Sequence, residues 1–289
     1  MGSLSKLGGG NMRKYKKKLI YEILEHLVLI FASVLFLIPF FWMLSTSLKT
    51  DTQLFVYPPI WMPDPINWVN YVEATKYIPF FRYFGNTAIV TFISTLGVIL
   101  SCPLAAYSLS KMRWSGRDAV FSITLAVMMI PGQVTMIPLY VLFNKVGFVN
   151  SYVPLIIQSF FGVPFYIFLI RQFFMGIPDS LLDSAKIDGA SELRKYVQIV
   201  MPLAKPAILS VGLFQFMSSW TDFMGPLLYL NKPSMYTLSL GLQQFQSEFG
   251  TEWGLMMAAS TMMTIPVIIL YFLLQKTFIQ GVTFTGIKG

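Results

Sequence analysis

Histidine and cysteine are almost missing from this chain, with one His26 and one Cys102 among 289 residues. A metal centre needs several ligands together, and neither residue has companions. One thiol cannot close an internal disulfide. Charge is scarce too: 12% of residues are Asp, Glu, Lys or Arg, against roughly 25% in a soluble domain. The sequence contains no Gly-Lys pair, which excludes a Walker A loop. The chain therefore carries no ATPase site of that kind, and its isolated His and Cys offer no catalytic constellation. What fills the sequence is apolar: 55% hydrophobic residues and a mean hydropathy of +0.63. The net charge of +8 is spread between long apolar runs, which argues for a membrane protein and against a nucleic-acid surface.

A helix needs about 20 apolar residues to cross roughly 30 Å of hydrocarbon. Five uncharged stretches reach that length, at 27–48, 83–110, 119–144, 146–170 and 253–275. A sixth, 206–231, is interrupted only by Asp222. None alternates in the manner of a barrel strand, so the reading is an all-α integral membrane protein. Its six spans are predicted at about 22–48, 83–110, 118–144, 150–174, 205–231 and 253–278, making 19–280 one transmembrane domain. Residues 1–18 read as a basic tail, with Gly8-Gly9-Gly10 as a stretch lacking regular structure, and residues 281–289 as a second tail. The apolar run after Lys18 is too long for a cleavable signal core, so it reads as an uncleaved first span. With the N-terminus inside, 16 Lys and Arg lie on the inner side and 5 on the outer. The positive-inside rule then predicts that both termini are cytoplasmic. Every span contains proline, which membranes tolerate and which suits either ordinary kinks or hinges around a pore.

Two longer segments fall outside on this reading, 49–82 and 232–252. The first, with Pro58-Pro59, Pro63, Pro65, Trp61 and Trp68, predicts an extended stretch and then an interfacial helix over about 68–76. The second carries Gln243, Gln244, Gln246, Glu248 and Glu252, a polar surface suited to an external partner. The inner segment 175–204 is too polar to span. Pro178 is preset for a first helical turn, and Asp179 and Asp183 suit the positive end of a helix dipole. Gly189 suits a left-handed helix terminus, and Ser191 a second N-cap. That second helix is expected over about 192–200, ending before Pro202, giving a helix–turn–helix.

The same segment carries a recognisable spacing. Asp183-Ser184-Ala185, three residues, Gly189, nine residues, then Ile199-Val200-Met201-Pro202 resembles the "EAA" motif of ABC importer permeases. Asp183, Ser184 and Met201 depart from the family's Glu, Ala and Leu. Ile177-Pro178, Ile187-Asp188-Gly189-Ala190, Trp220-Thr221-Asp222-Phe223 and Pro226-Leu227 are similar to the sugar-importer branch. The tail 281–289 resembles the ending of its MalG-type subunits. The resemblance implies the type I ABC importer permease fold, with a coupling helix–turn–helix between spans 4 and 5. It also implies a second, MalF-like permease subunit and two ATPase subunits that hold ATP and Mg. An extracellular solute-binding protein completes the assembly. Such an importer moves an oligosaccharide across a bacterial or archaeal cytoplasmic membrane by alternating access.

Residue by residue, the resemblance assigns ATPase coupling to Asp183, Ser184, Ala185, Asp188, Gly189, Ala190 and Pro202. It assigns an ATPase-contacting tail to Gly286, Lys288 and Gly289. Gln243, Gln244, Gln246 and Glu248 are candidates for contact with the binding protein. Gln133, Gln158, Gln215, Ser219 and Asp222 are candidates for the substrate path, since polar groups inside spans are either functional or interhelical ties. Met128, Met129, Met262 and Met263 read as packing, and His26, Glu22 and Glu25 as interfacial. Glycerol phosphate, a polyol or a uronate oligomer would suit the same scaffold. An ion-coupled secondary transporter would want more intramembrane charge and inverted repeats than the sequence holds.

Overall fold

The structure, a computed structural model, describes residues 6–247 and 250–283, with side chains over 18–247 and 250–275. The helices used below are α1 (Lys6–Ser47), α2 (Val69–Tyr77), α3 (Phe80–Ser110), α4 (Arg117–Met128), α5 (Gly132–Lys145) and α6 (Pro164–Met175). They continue with α7 (Asp179–Ile187), α8 (Glu192–Leu203), α9 (Lys205–Trp220), α10 (Met224–Tyr229) and α11 (Trp253–Thr283). A two-stranded antiparallel hairpin, β1 (Gln246–Ser247) with β2 (Gly250–Thr251), precedes α11.

Among the described residues, four helical stretches are long and apolar enough to cross a bilayer: Lys18–Ser47, Phe80–Ser110, Val153–Met175 and Trp253–Gln275. Two further crossings are reached only as bent pairs, α4 with α5 at 99° and α8 with α9 at 78°. The third predicted span is thus two helices, not one. Met129, Ile130 and Pro131 separate them. Pro131 supplies no N–H and pushes the residue before it away from helical geometry. The fourth span begins with a short helix (Val153–Ile156) and a 3-10 turn (Ile157–Phe161), then turns at Gly162 (φ +86°) into α6. The fifth predicted span, 205–231, ends its first helix at Trp220 and restarts as α10. Its 16-residue α9 rises about 24 Å.

Two more expectations need correction. The helix of α1 runs back through Gly8-Gly9-Gly10 to Lys6, because extending a helix already nucleated adds a hydrogen bond per residue. The second helix of the inner segment continues past Pro202 to Leu203. A π-helical turn over Tyr196–Val200 widens the ladder ahead of Pro202, and Met201 donates its N–H to the Tyr196 carbonyl.

The chain divides into two compact units. One comprises Met1–Val72 with Trp253–Thr261, the other Glu73–Glu252 with Met262–Gly289. In the first, α1 exposes apolar side chains all round from Leu19 to Phe41, the pattern of a helix covered by lipid or by another chain. Its C-terminal carbonyls are satisfied locally: Asn70 Nδ2 donates to the Ser47 and Lys49 carbonyls at 3.0 and 2.8 Å, and the Asn67 N–H donates to Leu48. Lys49, buried, lies over the Trp42 ring at 3.9 Å.

The second unit is built on α3, 31 residues long. Small residues let other segments approach it closely. Gly97 faces the Phe160 ring, and Gly212 of α9 faces Ile99. Ser94 and Ser101 donate to the carbonyls of Leu155 and Ser159, supplying partners to broken backbone inside the membrane domain. The core continues from Val98 and Ala106 through Ile167, Ile170 and Phe174 to Leu182, Tyr196 and Val200. The hairpin formed by α7 and α8 is therefore seated on the core by its own apolar face.

Candidate functional site: the α7–α8 hairpin

The α7–α8 hairpin is defined by its turn. Asp188 ends α7, and Gly189 follows at φ +75°. The Gly189 N–H donates to Lys186 and the Ala190 N–H to Ala185, at 3.1 and 2.9 Å. This pairing is a Schellman terminus, which places a left-handed residue at that position. Ser191 then caps α8, accepting the Arg194 N–H at 3.3 Å. Pro178 stands one position before the first helical residue, Asp179, rather than inside the turn.

The sequence reads Gly189 as a left-handed helix terminus, and the structure agrees. A Cβ built there meets nothing within 4 Å in this chain, so within the subunit its requirement is conformational. Asp183, Ser184, Asp188 and Gly189 are exposed together, with Ala185 and Ala190 half-buried beside them. Pro202 lies at the far end of α8. The hairpin also exposes apolar side chains that sequence reading missed: Ile187 at 87% of its surface, with Leu181, Leu193 and Val197. The signal was available in Leu181-Leu182 and Ile187, three apolar residues on a short helix too polar to span, more than one face of it can bury.

The base of the hairpin is fixed to the end of α3. Lys111, its side chain only 5% exposed, donates to the Ile177 carbonyl at 2.6 Å and to Asp179 Oδ1 at 2.5 Å. The Tyr107 hydroxyl donates to Glu192 Oε2 at 2.9 Å, and Lys195 Nζ to Glu192 Oε1 at 2.5 Å. The hydrogen-bonded Lys111 holds the Asp179 carboxyl below the usual carboxylate range. The Lys195 ammonium, with Tyr107 assisting, does the same for Glu192. Arg171 donates to the Leu109 carbonyl at 3.0 Å and stacks on Phe121, tying α3, α4 and α6 together at the same end. Between Tyr107, Lys111, Asp179, Glu192 and Lys195 lies a polar groove of about 530 Å³.

At the opposite end of α3, Asn86 donates to the Ser234 and Tyr236 carbonyls, and Thr87 accepts the Leu238 N–H. These bonds fix the segment that leads to Gln243, Gln244 and Gln246. Gln243 and Gln246 are exposed, while Gln244 accepts a long hydrogen bond from Tyr83. Glu248 lies outside the described residues, as do Gly286, Lys288 and Gly289 of the tail.

Among the substrate-path candidates, Gln215 and Ser219 meet directly, and Gln158 and Asp222 bond within their own segments. Gln133 is exposed in the first turn of α5. Gln158 donates to Pro154 in its own turn, and Gln215 to Ser219 one helical turn on. Asp222 accepts the Gly225 N–H at 3.1 Å and closes the break between α9 and α10. Among the described residues no group of three or more His, Cys, Asp and Glu is placed to hold a metal.

Residues 93–284 match the family described as "Binding-protein-dependent transport system inner membrane component". The chain is 32% identical to the arabinooligosaccharides transport system permease protein AraQ of Bacillus subtilis (strain 168), over 93% of this chain and 97% of that one. It is also 32% identical to the sulfoquinovosyl glycerol transport system permease protein SmoH of Agrobacterium fabrum, covering 88% and 89%. Among solved structures it resembles a chain of a bacterial ABC transporter involved in import of the acidic polysaccharide alginate. That likeness has a TM-score of 0.78 at 24% identity, covering 91% and 98%. The chain belongs to the binding-protein-dependent transport system inner membrane components: it is a multi-pass ABC importer permease.

Proposed function

We propose that this subunit forms half of the path of an ATP-driven importer for an oligosaccharide or a related glycoside. A second, MalF-like permease chain supplies the other half, and an extracellular binding protein delivers the solute. Two ATPase subunits, holding ATP and Mg, grip the α7–α8 hairpin and the C-terminal tail. The hairpin end then lies in the cytoplasm with both termini, as the distribution of Lys and Arg favours. The relatives named above support the glycoside class, since one takes arabinooligosaccharides and one a sulfosugar glycerol.

The observation that carries this reading is the hairpin itself. It is a capped, core-seated element whose outer face presents Ile187, Asp183, Asp188 and a left-handed Gly189 to whatever covers it. ATP-driven closure of the ATPases would move this lever and switch the path between inward and outward access. Gly189→Asp tests it. The side chain enters open space in this chain and Asp visits the left-handed region more readily than Ala, so the subunit is expected to fold and insert with only a small local cost at the turn. ATP hydrolysis should then no longer drive uptake. Wild-type transport by that variant would refute the docking role.

A further inference from the structure

We infer that Lys111 and Tyr107, both at the inner end of α3, are the positioning residues that make the hairpin a rigid extension of that helix. The inference rests on the coupling role proposed above and deepens it. A lever transmits motion only if its base does not yield. The contacts between hairpin and α3 are of two kinds, and only one resists rotation. Leu182, Tyr196 and Val200 pack on the core through apolar surface, which is non-directional. The polar contacts are directional, and they fall one on each helix of the hairpin.

Lys111 holds the start of α7 by two bonds from one ammonium, to the Ile177 carbonyl and to Asp179. Tyr107, one helical turn earlier, holds the start of α8 through Glu192, whose other oxygen is taken by Lys195. Both lysine side chains are nearly enclosed, at 5% and 8% exposure. A buried ammonium that loses its acceptor pays a desolvation penalty, so each clamp favours one geometry strongly. Charge-assisted bonds of this kind are shorter and about twice as strong as neutral ones. Two anchors fix an orientation where one permits a swivel. Tyr107 also packs against Tyr196, the rings tilted by 58° with centroids 5.2 Å apart, which fixes the depth of α8.

The test uses the assembled importer in lipid, with spin labels at Ser180→Cys on α7 and Leu100→Cys on α3. Both positions are exposed, neither is among the residues assigned to coupling, and native Cys102 is buried. Lys111→Met, which keeps the buried stem, and Tyr107→Phe, which removes one oxygen, should each broaden the label-to-label distance distribution. Lys111→Arg should keep it narrow. In Lys111→Met, which loses both bonds of the ammonium, solute moved per ATP hydrolysed should fall by roughly tenfold or more, tenfold being the effect of one charge-assisted hydrogen bond. An unchanged distribution in both variants overturns the clamp. A broadened distribution with undiminished solute per ATP overturns its positioning role, while docking itself is judged separately by Gly189→Asp.

Discussion

Substitutions at Gly189 separate two demands that one residue meets. The first is conformational: at φ +75°, a residue with a Cβ is disfavoured by about 1–2 kcal/mol. Asn and Asp are the partial exceptions, because they visit the left-handed region more readily than Ala. No steric cost adds to this, since the space around a Cβ at 189 is empty out to 4 Å. Hairpin stability should therefore rank Gly above Asn and Asp, with Ala the least stable by about 1 kcal/mol. The second demand is intermolecular. If an ATPase surface closes over the turn, coupling should follow side-chain size and charge, with Asp and Asn worse than Ala. The two orders run in opposite directions. Hydrogen exchange over 179–200 reads the first, and solute transported per ATP hydrolysed in proteoliposomes reads the second. Should coupling follow the stability order, with Ala the most damaged, the turn would matter only as a fold element and the docking argument would fail.

Further outcomes follow from packing and charge. Gly97→Val should destabilise the second unit by about 1–3 kcal/mol, because a Cβ at Gly97 already overlaps the Phe160 ring; thermal unfolding in detergent measures it. The Asp179 and Glu192 carboxyls are held below their ordinary range, so their contribution is complete above it and fades as pH falls through the depressed values. The Ser180–Leu100 label distance should stay narrow from pH 8 to about 5 and broaden only below roughly pH 4. Gln243→Lys with Gln246→Lys should weaken stimulation of ATP hydrolysis by the binding protein, leaving unstimulated hydrolysis intact. A titration of binding protein against ATPase rate would show the shift.

The hairpin was readable from sequence because its signals are local. Pro178, Asp179, Gly189 and Ser191 lie within fourteen residues, and each acts on the backbone beside it. The clamp was not readable, because Tyr107 meets Glu192 across 85 positions and Lys111 meets Asp179 across 68. No local preference announces such a pairing. The spans lie between these cases. Hydropathy located the crossings but not the breaks, since a break in an apolar run changes no charge. The punctuation was present in Ile130-Pro131-Gly132 and Gly162-Val163-Pro164, yet proline alone is too common in membrane helices to decide between a kink and a break. For the substrate path, polarity named Gln158, Gln215 and Asp222, and each has a bond within its own segment. Their residue types gave no indication that those needs were met so close by.

The 99° turn between α4 and α5 carries a thermodynamic obligation. Some groups at this elbow are satisfied locally, with the Met129, Ile130 and Val134 N–H groups donating to the Ala126, Val127 and Pro131 carbonyls; the others lose their intrahelical partners, and α4 buries none of its residues in this chain. Hydrocarbon cannot satisfy such groups. The elbow at Met129–Gly132 must therefore be wetted by an aqueous passage or roofed by a neighbouring polypeptide, and Gln133 stands beside it. Where this stretch lies at the depth of the hydrocarbon, the subunit cannot present it bare to lipid.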